Sequence, residues 1–311
     1  MVKCSFTLLV RKSSSWRHAL KLSLTGLVWG LLVVSCSSDL LSEGKSYSSP
    51  RLNVSDSLAM VNIYKAIGPW GGDWDLKDIR TWGGVEGALD LDNNEYRIVG
   101  FQYYNGRFHG DFPEDFRKLT ELRKLAVCGG TMSGSIPSWI GELKHLQYLA
   151  FGENRMSGEI PEEIGNLVNL QKLVITHNFI GGKLPESLGN LVKVYRLTIN
   201  HTFVEGEIPK SLKNMSSVEV MDLNDNRLSG RFPIEILRNE RLAVDCTNNN
   251  ITELPFEVWK DDFVGAPPIL EGNMLNGILP DWIFETKKWD VYGTMSTDCQ
   301  KKGYGYDNFK K

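Results

Sequence analysis

The chain has 311 residues, with 35 lysines and arginines against 38 aspartates and glutamates, and a formal net charge of −3. Because there is neither a basic patch nor a basic excess, the composition argues against nucleic acid or an anionic membrane surface as a partner. The chain is long enough for one or two ordinary domains, or for one elongated repeat array.

The first 35 residues have the pattern of a secretory signal. Residues 1–21 carry five basic and no acidic residues, and the apolar run 22–34 that follows is, at about 13 residues, too short to span a bilayer. The run ends in Val-Val-Ser-Cys at Cys36, which resembles the bacterial lipobox. That resemblance implies cleavage before Cys36 and its acylation, with palmitate among the acyl chains; an ordinary signal with a chance cysteine is the alternative. We expect residues 1–35 to be a lipoprotein signal peptide.

Two short regions follow before the repeats begin. Residues 36–54 are rich in serine and are expected to form the lipidated N-terminus and a flexible tether. Residues 55–95 are expected to form an N-terminal cap, with a helix that begins at Asp56 as N-cap and continues through apolar residues at helical spacing. Its tryptophans are Trp70, Trp74 and Trp82.

The acidic stretch 90–95, Asp-Leu-Asp-Asn-Asn-Glu, has two interpretations. A calcium loop of the EF-hand type needs Gly at its sixth position and Glu at its twelfth, where this chain has Glu95 and Phe101. A hairpin turn rich in Asp and Asn is therefore the prediction.

A 24-residue pattern, LxxLxxLxLxxNxLxGxIPxxLxx, organises the chain from there on and is clearest in the turns that begin at Leu119, Leu143 and Leu167. Apolar residues two apart, such as Leu173 and Ile175, fit the inward face of a short strand. An Asn follows most strands, where its amide can satisfy backbone groups at the bend. These residues are Asn154, Asn178, Asn226, Asn249 and Asn273.

The G-x-I-P step resembles the plant-type leucine-rich repeat, and with the lipobox-like segment the chain resembles a bacterial lipoprotein that carries such repeats. The resemblance implies an α/β solenoid, a right-handed superhelix of about eight turns over residues 96–285. Short parallel strands would line the concave face, and irregular or 3-10 segments the convex face. The helix and the Trp-Gly-Gly-Val at 82–85, within residues 55–95, resemble the N-terminal cap of this class, and residues 286–311 are expected to be the C-terminal cap.

The sequence gives no support for catalysis. It contains no G-x-S-x-G, no HExxH and no glycine-rich phosphate loop. His177 and His201 share one repeat position with Asp225 next in the row, so adjacent strands would bring these side chains about 5 Å apart. A metal or a proton-sharing pair is one interpretation of this row, but a solvated polar rim is favoured. We expect no catalytic site, no cofactor and no metal.

The outward strand positions form the predicted binding surface, because repeat proteins of this kind bind on their concave face. Basic and aromatic residues gather on the early turns and acidic residues on the late ones. The candidate ligand-binding residues are Tyr104, Lys124, Tyr148, Lys172, Thr176, His177, Arg196, His201, Asp222, Asp225 and Asp245. Phe179 and Phe203, also one period apart, are expected to be exposed.

The expected function is that of a non-catalytic, lipid-anchored module outside the cytoplasm that recognises a protein or peptide on its concave face. It would be an outer-membrane lipoprotein facing the periplasm or the cell exterior, touching the membrane through its anchor only. A glycan-binding protein is the main alternative, with Tyr148, Phe179 and Phe203 as stacking platforms. A hydrolase with an unrecognised site, a structural surface-layer component and a solvated face without a ligand are the others.

The lipobox-like end of the apolar run generates the first prediction. Mature protein from cells fed labelled palmitate should carry the label and fractionate with membranes, because acyl chains on Cys36 hold it there. Cys36→Ser should abolish labelling and mislocalise or release the protein. A wild-type N-terminus that mass spectrometry finds free and unacylated would contradict the prediction.

Overall fold

The computed structural model describes residues 50–67, 75, 81–104, 108–239, 241–254, 268–275, 277–278 and 309–310. The predicted signal peptide, Cys36 and nearly all of the predicted tether and C-terminal cap lie outside the described residues. None of the helices in the described part of the chain is long and apolar enough to cross a membrane.

Short strands and 3-10 helices alternate along the chain after a single α-helix of the described part, α1 (Val54–Ile67). In chain order the strands are β1 Arg51–Leu52, β2 Val85–Asp90, β3 Glu95–Tyr103, β4 His109–Asp111, β5 Lys124–Cys128, β6 Thr131–Ser133, β7 Tyr148–Gly152, β8 Lys172–Thr176, β9 Arg196–Asn200, β10 Glu205–Gly206, β11 Val220–Asp222, β12 Arg227–Arg231, β13 Ala243–Asp245, β14 Asn250–Glu253, β15 Gly277–Ile278 and β16 Phe309–Lys310. The hairpin predicted at 90–95 is confirmed by the antiparallel pairing of β2 with β3.

The main sheet has nine strands, of which eight follow one another in the order β1-β3-β5-β7-β8-β9-β11-β13, and β2 pairs with β3 at one end. From β3 to β13 all neighbours are parallel. Leu149 pairs with Leu173 and Leu173 with Leu197, so residues one repeat apart lie side by side. The inward residues of these strands are fully buried. The predicted strand period, with its inward leucines and its parallel stacking, is confirmed.

On the opposite side of each turn the chain forms a 3-10 helix of five residues, and a proline stands at the N-cap of each. The helices are Glu114–Lys118, Ser138–Glu142, Glu162–Asn166, Glu186–Asn190, Lys210–Asn214 and Ile234–Arg238. Successive helices approach closely at their glycines. A Cβ on Gly165 would lie 2.5 Å from the carbonyl oxygen of Ser187 in the next turn, so only glycine allows this spacing.

Helix α1 begins differently from the sequence prediction. Its cap is Asn53, whose Oδ1 accepts the backbone N–H groups of Ser55 and Asp56 at 3.0 and 3.2 Å. Asp56, predicted as the N-cap, is instead fully buried. Its carboxylate pairs with the Arg97 guanidinium at 2.9 Å and accepts the N–H of Ile98 at 2.8 Å. The prediction of Asp56 as the cap was wrong, because an ion pair to β3 ties the helix to the sheet.

The predicted asparagines are buried and bridge adjacent turns. The Asn178 amide donates to the carbonyls of Phe151 and Thr176 at 3.2 and 2.9 Å, and its oxygen accepts the Met156 N–H at 3.1 Å. Each amide thus satisfies backbone groups of its own turn and of the turn before it. One turn has Thr202 at this position, and its hydroxyl donates to Asn226 Oδ1 at 2.5 Å.

A second, discontinuous set of parallel pairings runs along one flank of the solenoid, just beyond the asparagines. It consists of β4 with β6 and of β10, β12 and β14, with single bridges at Glu159–Gly181 and Lys183–Glu205 between them. The repeat pattern did not predict these pairings. They hold the residues after each asparagine in columns as regular as those of the main sheet.

The asparagine contacts generate a stability prediction. Asn178→Ala should lower the free energy of unfolding by about 1–3 kcal/mol, because it leaves buried backbone groups of two turns without their partner. Asn190→Ala is the matched control, since this asparagine is exposed at the end of a 3-10 helix. Chemical denaturation measures both variants, and equal midpoints for the two would contradict the role assigned to Asn178.

Candidate functional site

The first outward position of the strands forms a continuous row across the concave face. The sheet pairs Lys124 with Tyr148, Tyr148 with Lys172, and Lys172 with Arg196. We call these four residues the concave row. Neighbouring strands lie about 4.8 Å apart, so the row extends over roughly 14 Å.

Tyr148 is the centre of the concave row. Its hydroxyl accepts a hydrogen bond from the Tyr104 hydroxyl at 3.3 Å, and the Lys172 ammonium lies 5.1 Å from its ring centroid. Partial burial, and then the contact with Tyr104, raise the pKa of Tyr148 above its ordinary value. The phenol therefore stays protonated at neutral pH. Tyr104 itself is 55% exposed and follows β3 directly, whereas the residue of β3 that pairs with Lys124 is Gly100.

The two ends of the concave row differ in charge. The Lys124 ammonium lies 3.0 Å from the Glu86 carboxylate, which also accepts a hydrogen bond from Gln102 at 2.8 Å. The basic edge predicted from Lys124, Lys172 and Arg196 is therefore partly neutralised by Glu86, a residue the sequence did not single out. Arg196 is exposed, and no carboxylate among the described residues pairs with it.

Small residues form a floor beside the concave row. Ala126 and Ala150 occupy outward positions but are 0% and 1% exposed, because the larger side chains around them cover them. Gly152 is also buried, and a Cβ there would meet Cys128 Sγ at 3.2 Å. Burial raises the pKa of the Cys128 thiol, which does not favour a reactive thiolate.

A hydrogen-bonded chain crosses the later strands. The Thr176 hydroxyl contacts Nδ1 of His177 at 2.8 Å and donates to Asn200 Oδ1, and the Asn200 amide donates to Asp222 Oδ2 at 2.8 Å. Asp222 pairs with Asp245 on the next strand. Burial, and secondarily the charge of Asp245, raise the pKa of Asp222, and this outweighs its hydrogen bonds and the nearby His201.

The predicted row of His177, His201 and Asp225 exists, and it marks a backbone feature. These residues, with Glu153 and Asn248, have φ between 49° and 55°, the left-handed region in which His, Asp and Asn are enriched. The histidine ring centroids lie 4.2 Å apart, as the repeat spacing predicts. His201 Nδ1 lies 3.4 Å from Asp225 Oδ2, which leaves the row as a polar rim. No three His, Cys, Asp or Glu side chains of the described residues form a group able to hold a metal.

The shifted pKa of Asp222 generates a pH-dependent prediction. A carboxyl that is more basic in the folded state costs stability when ionised, so this cost is present at neutral pH and disappears as the pH falls below the folded pKa. Asp222→Asn should therefore raise the thermal midpoint at pH 7, with a gain that shrinks toward pH 4 and below. Asp90→Asn is the control of opposite sign. A hydrogen bond from Asn93 lowers the pKa of Asp90, so this substitution should lower the thermal midpoint at pH 7. A pH-independent gain at Asp222 would contradict the assignment.

Comparison with known proteins agrees with the geometry of the turns. Residues 128–239 match the family model described as a leucine-rich repeat region. No curated protein matches the chain. Among solved structures, the chain is similar to the leucine-rich repeat ectodomain of the plant membrane receptor kinase GASSHO1/SCHENGEN3 from Arabidopsis thaliana, in complex with CASPARIAN STRIP INTEGRITY FACTOR 2. The match has 26% identity and a TM-score of 0.66, and it covers 75% of this chain and 28% of that one.

Two further structures give the same architecture. The Arabidopsis receptor kinase HAESA, in complex with the peptide hormone IDA and the co-receptor SERK1, matches with 27% identity and a TM-score of 0.54, over 69% of this chain and 33% of that one. The PEPR1–AtPEP1 structure matches in fold, with 21% identity and a TM-score of 0.58, over 73% of this chain and 36% of that one. This chain spans about a third of the length of these structures. It contains a leucine-rich repeat region with a solenoid-like fold similar to plant receptor ectodomains.

Proposed function

We propose that the protein is a non-catalytic binding module that takes a protein or peptide partner on its concave face. The concave row carries this proposal, because it joins an aromatic side chain and three long cations in one line across four strands. Aromatic and arginine side chains dominate binding energies at protein interfaces. The solved structure of HAESA, a fold relative, contains a peptide hormone.

The chemistry of the row fits an extended peptide. An apolar side chain of the partner could pack against the partly exposed ring of Tyr148. Arg196, which has no carboxylate partner in the described structure, offers a planar set of donors for a carboxylate or a main-chain carbonyl. Asp222 and Asp245 lie on the next two strands, so the face changes sign along the solenoid axis. This change would fix the direction in which a charged partner binds.

Glycan binding is supported less well by the same contacts. Sugar stacking needs an open aromatic face, and the Lys172 ammonium lies over the ring of Tyr148. Hydrolysis is also supported less well, because the described residues bring no nucleophile, base and orienting group together in the concave row.

The proposal includes export and a lipid anchor. Acylation at Cys36 would hold the module on the outer membrane, with the serine-rich segment as a spacer. The spacer can extend only as far as residue 50, because β1 already pairs with β3 from Arg51 onward. The folded module would therefore stay within a short distance of the membrane surface.

The function is tested with a phage-displayed library of random peptides selected on the purified full chain. For the selected peptides, Tyr148→Ala combined with Arg196→Ala should weaken binding at least about tenfold, or about 1.4 kcal/mol. The thermal midpoint should stay unchanged, because neither side chain belongs to the inward core.

Lys210→Ala is the control, since Lys210 is exposed at the start of a 3-10 helix on the opposite side. Glu162, on the same side of the solenoid, is not a suitable control position. Its carboxylate accepts backbone N–H groups of Glu186 and Ser187 in the next turn, so its substitution would affect stability. Loss of binding in Lys210→Ala with no effect of the Tyr148 and Arg196 pair would move the site to the convex surface and overturn the proposal.

A further inference from the structure

A column of four residues runs along the flank of the solenoid, outside the concave face. It consists of Arg155, Phe179, Phe203 and Arg227, which we call the flank strip. Each residue follows its turn's left-handed residue by two positions. Their backbone N–H groups donate in the same way to the preceding turn, from Arg155 to Met132, Phe179 to Met156, Phe203 to Ile180 and Arg227 to Val204. The flank strip is therefore held rigidly by main-chain hydrogen bonds and extends over about 14 Å.

The two phenylalanines are exposed although they are large and apolar. Phe179 is 55% and Phe203 39% exposed, and their rings stack with centroids 6.0 Å apart and planes 18° apart. The Arg227 guanidinium carbon lies 4.5 Å from the Phe203 centroid. Isolated apolar residues on a surface need no explanation, but adjoining ones that are ordered against each other mark interaction sites.

The cations at the ends of the strip form no ion pair in the part of the chain that the structure describes, although Glu205 stands in register with Arg227 on the paired strand. No carboxylate among the described residues forms an ion pair with Arg155 or with Arg227. Stacking on Phe203 orients the Arg227 guanidinium and leaves its N–H groups available. The strip therefore presents a cation, two apolar rings and a second cation, one on each of four consecutive turns.

We infer that the flank strip is a second docking surface, for a protein segment that carries large apolar side chains between carboxylates. The charges of the strip call for acidic groups at both ends, and arginine binds carboxylates through paired N–H donors. Phe179 and Arg227 both pack against the Phe203 ring, so this ring meets a partner mainly through its edges, and Phe179 is the more exposed of the two rings. Edges suit packing by apolar side chains and do not suit a stacked sugar ring.

The flank strip is separate from the concave row. Strand β8 alone puts about 13 Å between Lys172 at its start and the turn that leads to Phe179. The polar rim around His177 and His201 lies between the two surfaces. One partner on the concave face and another on the flank could therefore be bound together, a capacity beyond the proposed concave site.

The test uses two synthetic peptide pools and the purified full chain. Both pools have a central Phe-Leu pair with random neutral neighbours, flanked at both ends by Asp or Glu in one pool and by Lys in the other. Fluorescence anisotropy should give at least about tenfold tighter binding for the acidic pool. Phe179→Ser with Phe203→Ser should remove that binding, and Arg227→Gln should reduce the preference for acidic peptides at least about threefold.

Two controls keep the inference separate from the proposed function. Binding of both pools is measured again in the Tyr148→Ala, Arg196→Ala background, which removes the proposed concave site. The preference for the acidic pool should persist in that background and should be lost when Phe179→Ser and Phe203→Ser are added. Lys210→Ala should leave binding unchanged, and all variants should keep the wild-type thermal midpoint. Equal affinity for both pools in the Tyr148→Ala, Arg196→Ala background would overturn the inference, and so would acidic-pool binding there that survives the loss of both phenylalanines. Displacement of the peptides by an oligosaccharide of uronic acids, with loss in the phenylalanine variant, would assign the strip to glycans and also overturn it.

Discussion

The buried asparagine that follows most of the strands is the contact on which the rest of the structure depends. A turn of this size has no core of its own, and the chain must leave the sheet at a bend where backbone groups lose their strand partners. The Asn178 amide forms hydrogen bonds with its own turn and with the one before it. One side chain therefore joins the two turns and satisfies backbone groups at the bend. Gly130 and Thr202 replace it in two turns, and the Thr202 hydroxyl is satisfied by the neighbouring Asn226.

This constraint fixes the register of the surface as well as of the core. Because every turn repeats the same backbone path, one outward residue per turn forms a straight row, and the properties of a row follow from single residues about 24 apart. The turn from Asp222 to Asp245 is one residue shorter, yet these two residues still pair. The 3-10 helices Lys210–Asn214 and Ile234–Arg238 keep the 24-residue spacing, so the missing residue lies between the second helix and β13.

The solenoid presents two unlike surfaces on either side of a polar rim. The concave row is partly neutralised at Glu86 and open at Arg196, and it lies beside a floor of alanines. The flank strip is apolar at its centre and cationic at both ends. Residues such as His201 and Asp225 between them satisfy one another and tolerate the left-handed backbone, which is a structural reason for their presence in this row.

The sequence by itself determined the repeat fold, the inward and outward faces of the strands, the asparagines and the members of the concave row, because one period specifies all of them. Only the tertiary structure decided contacts that the period does not contain. Asp56 forms a buried ion pair with Arg97, and Glu86 of the hairpin forms an ion pair with Lys124. The exposed pair Phe179 and Phe203 was predicted, but its stacking under an arginine and the flank pairings were not. A periodic pattern states which residues are neighbours, whereas side-chain packing decides which of them satisfy each other and which remain available to a partner.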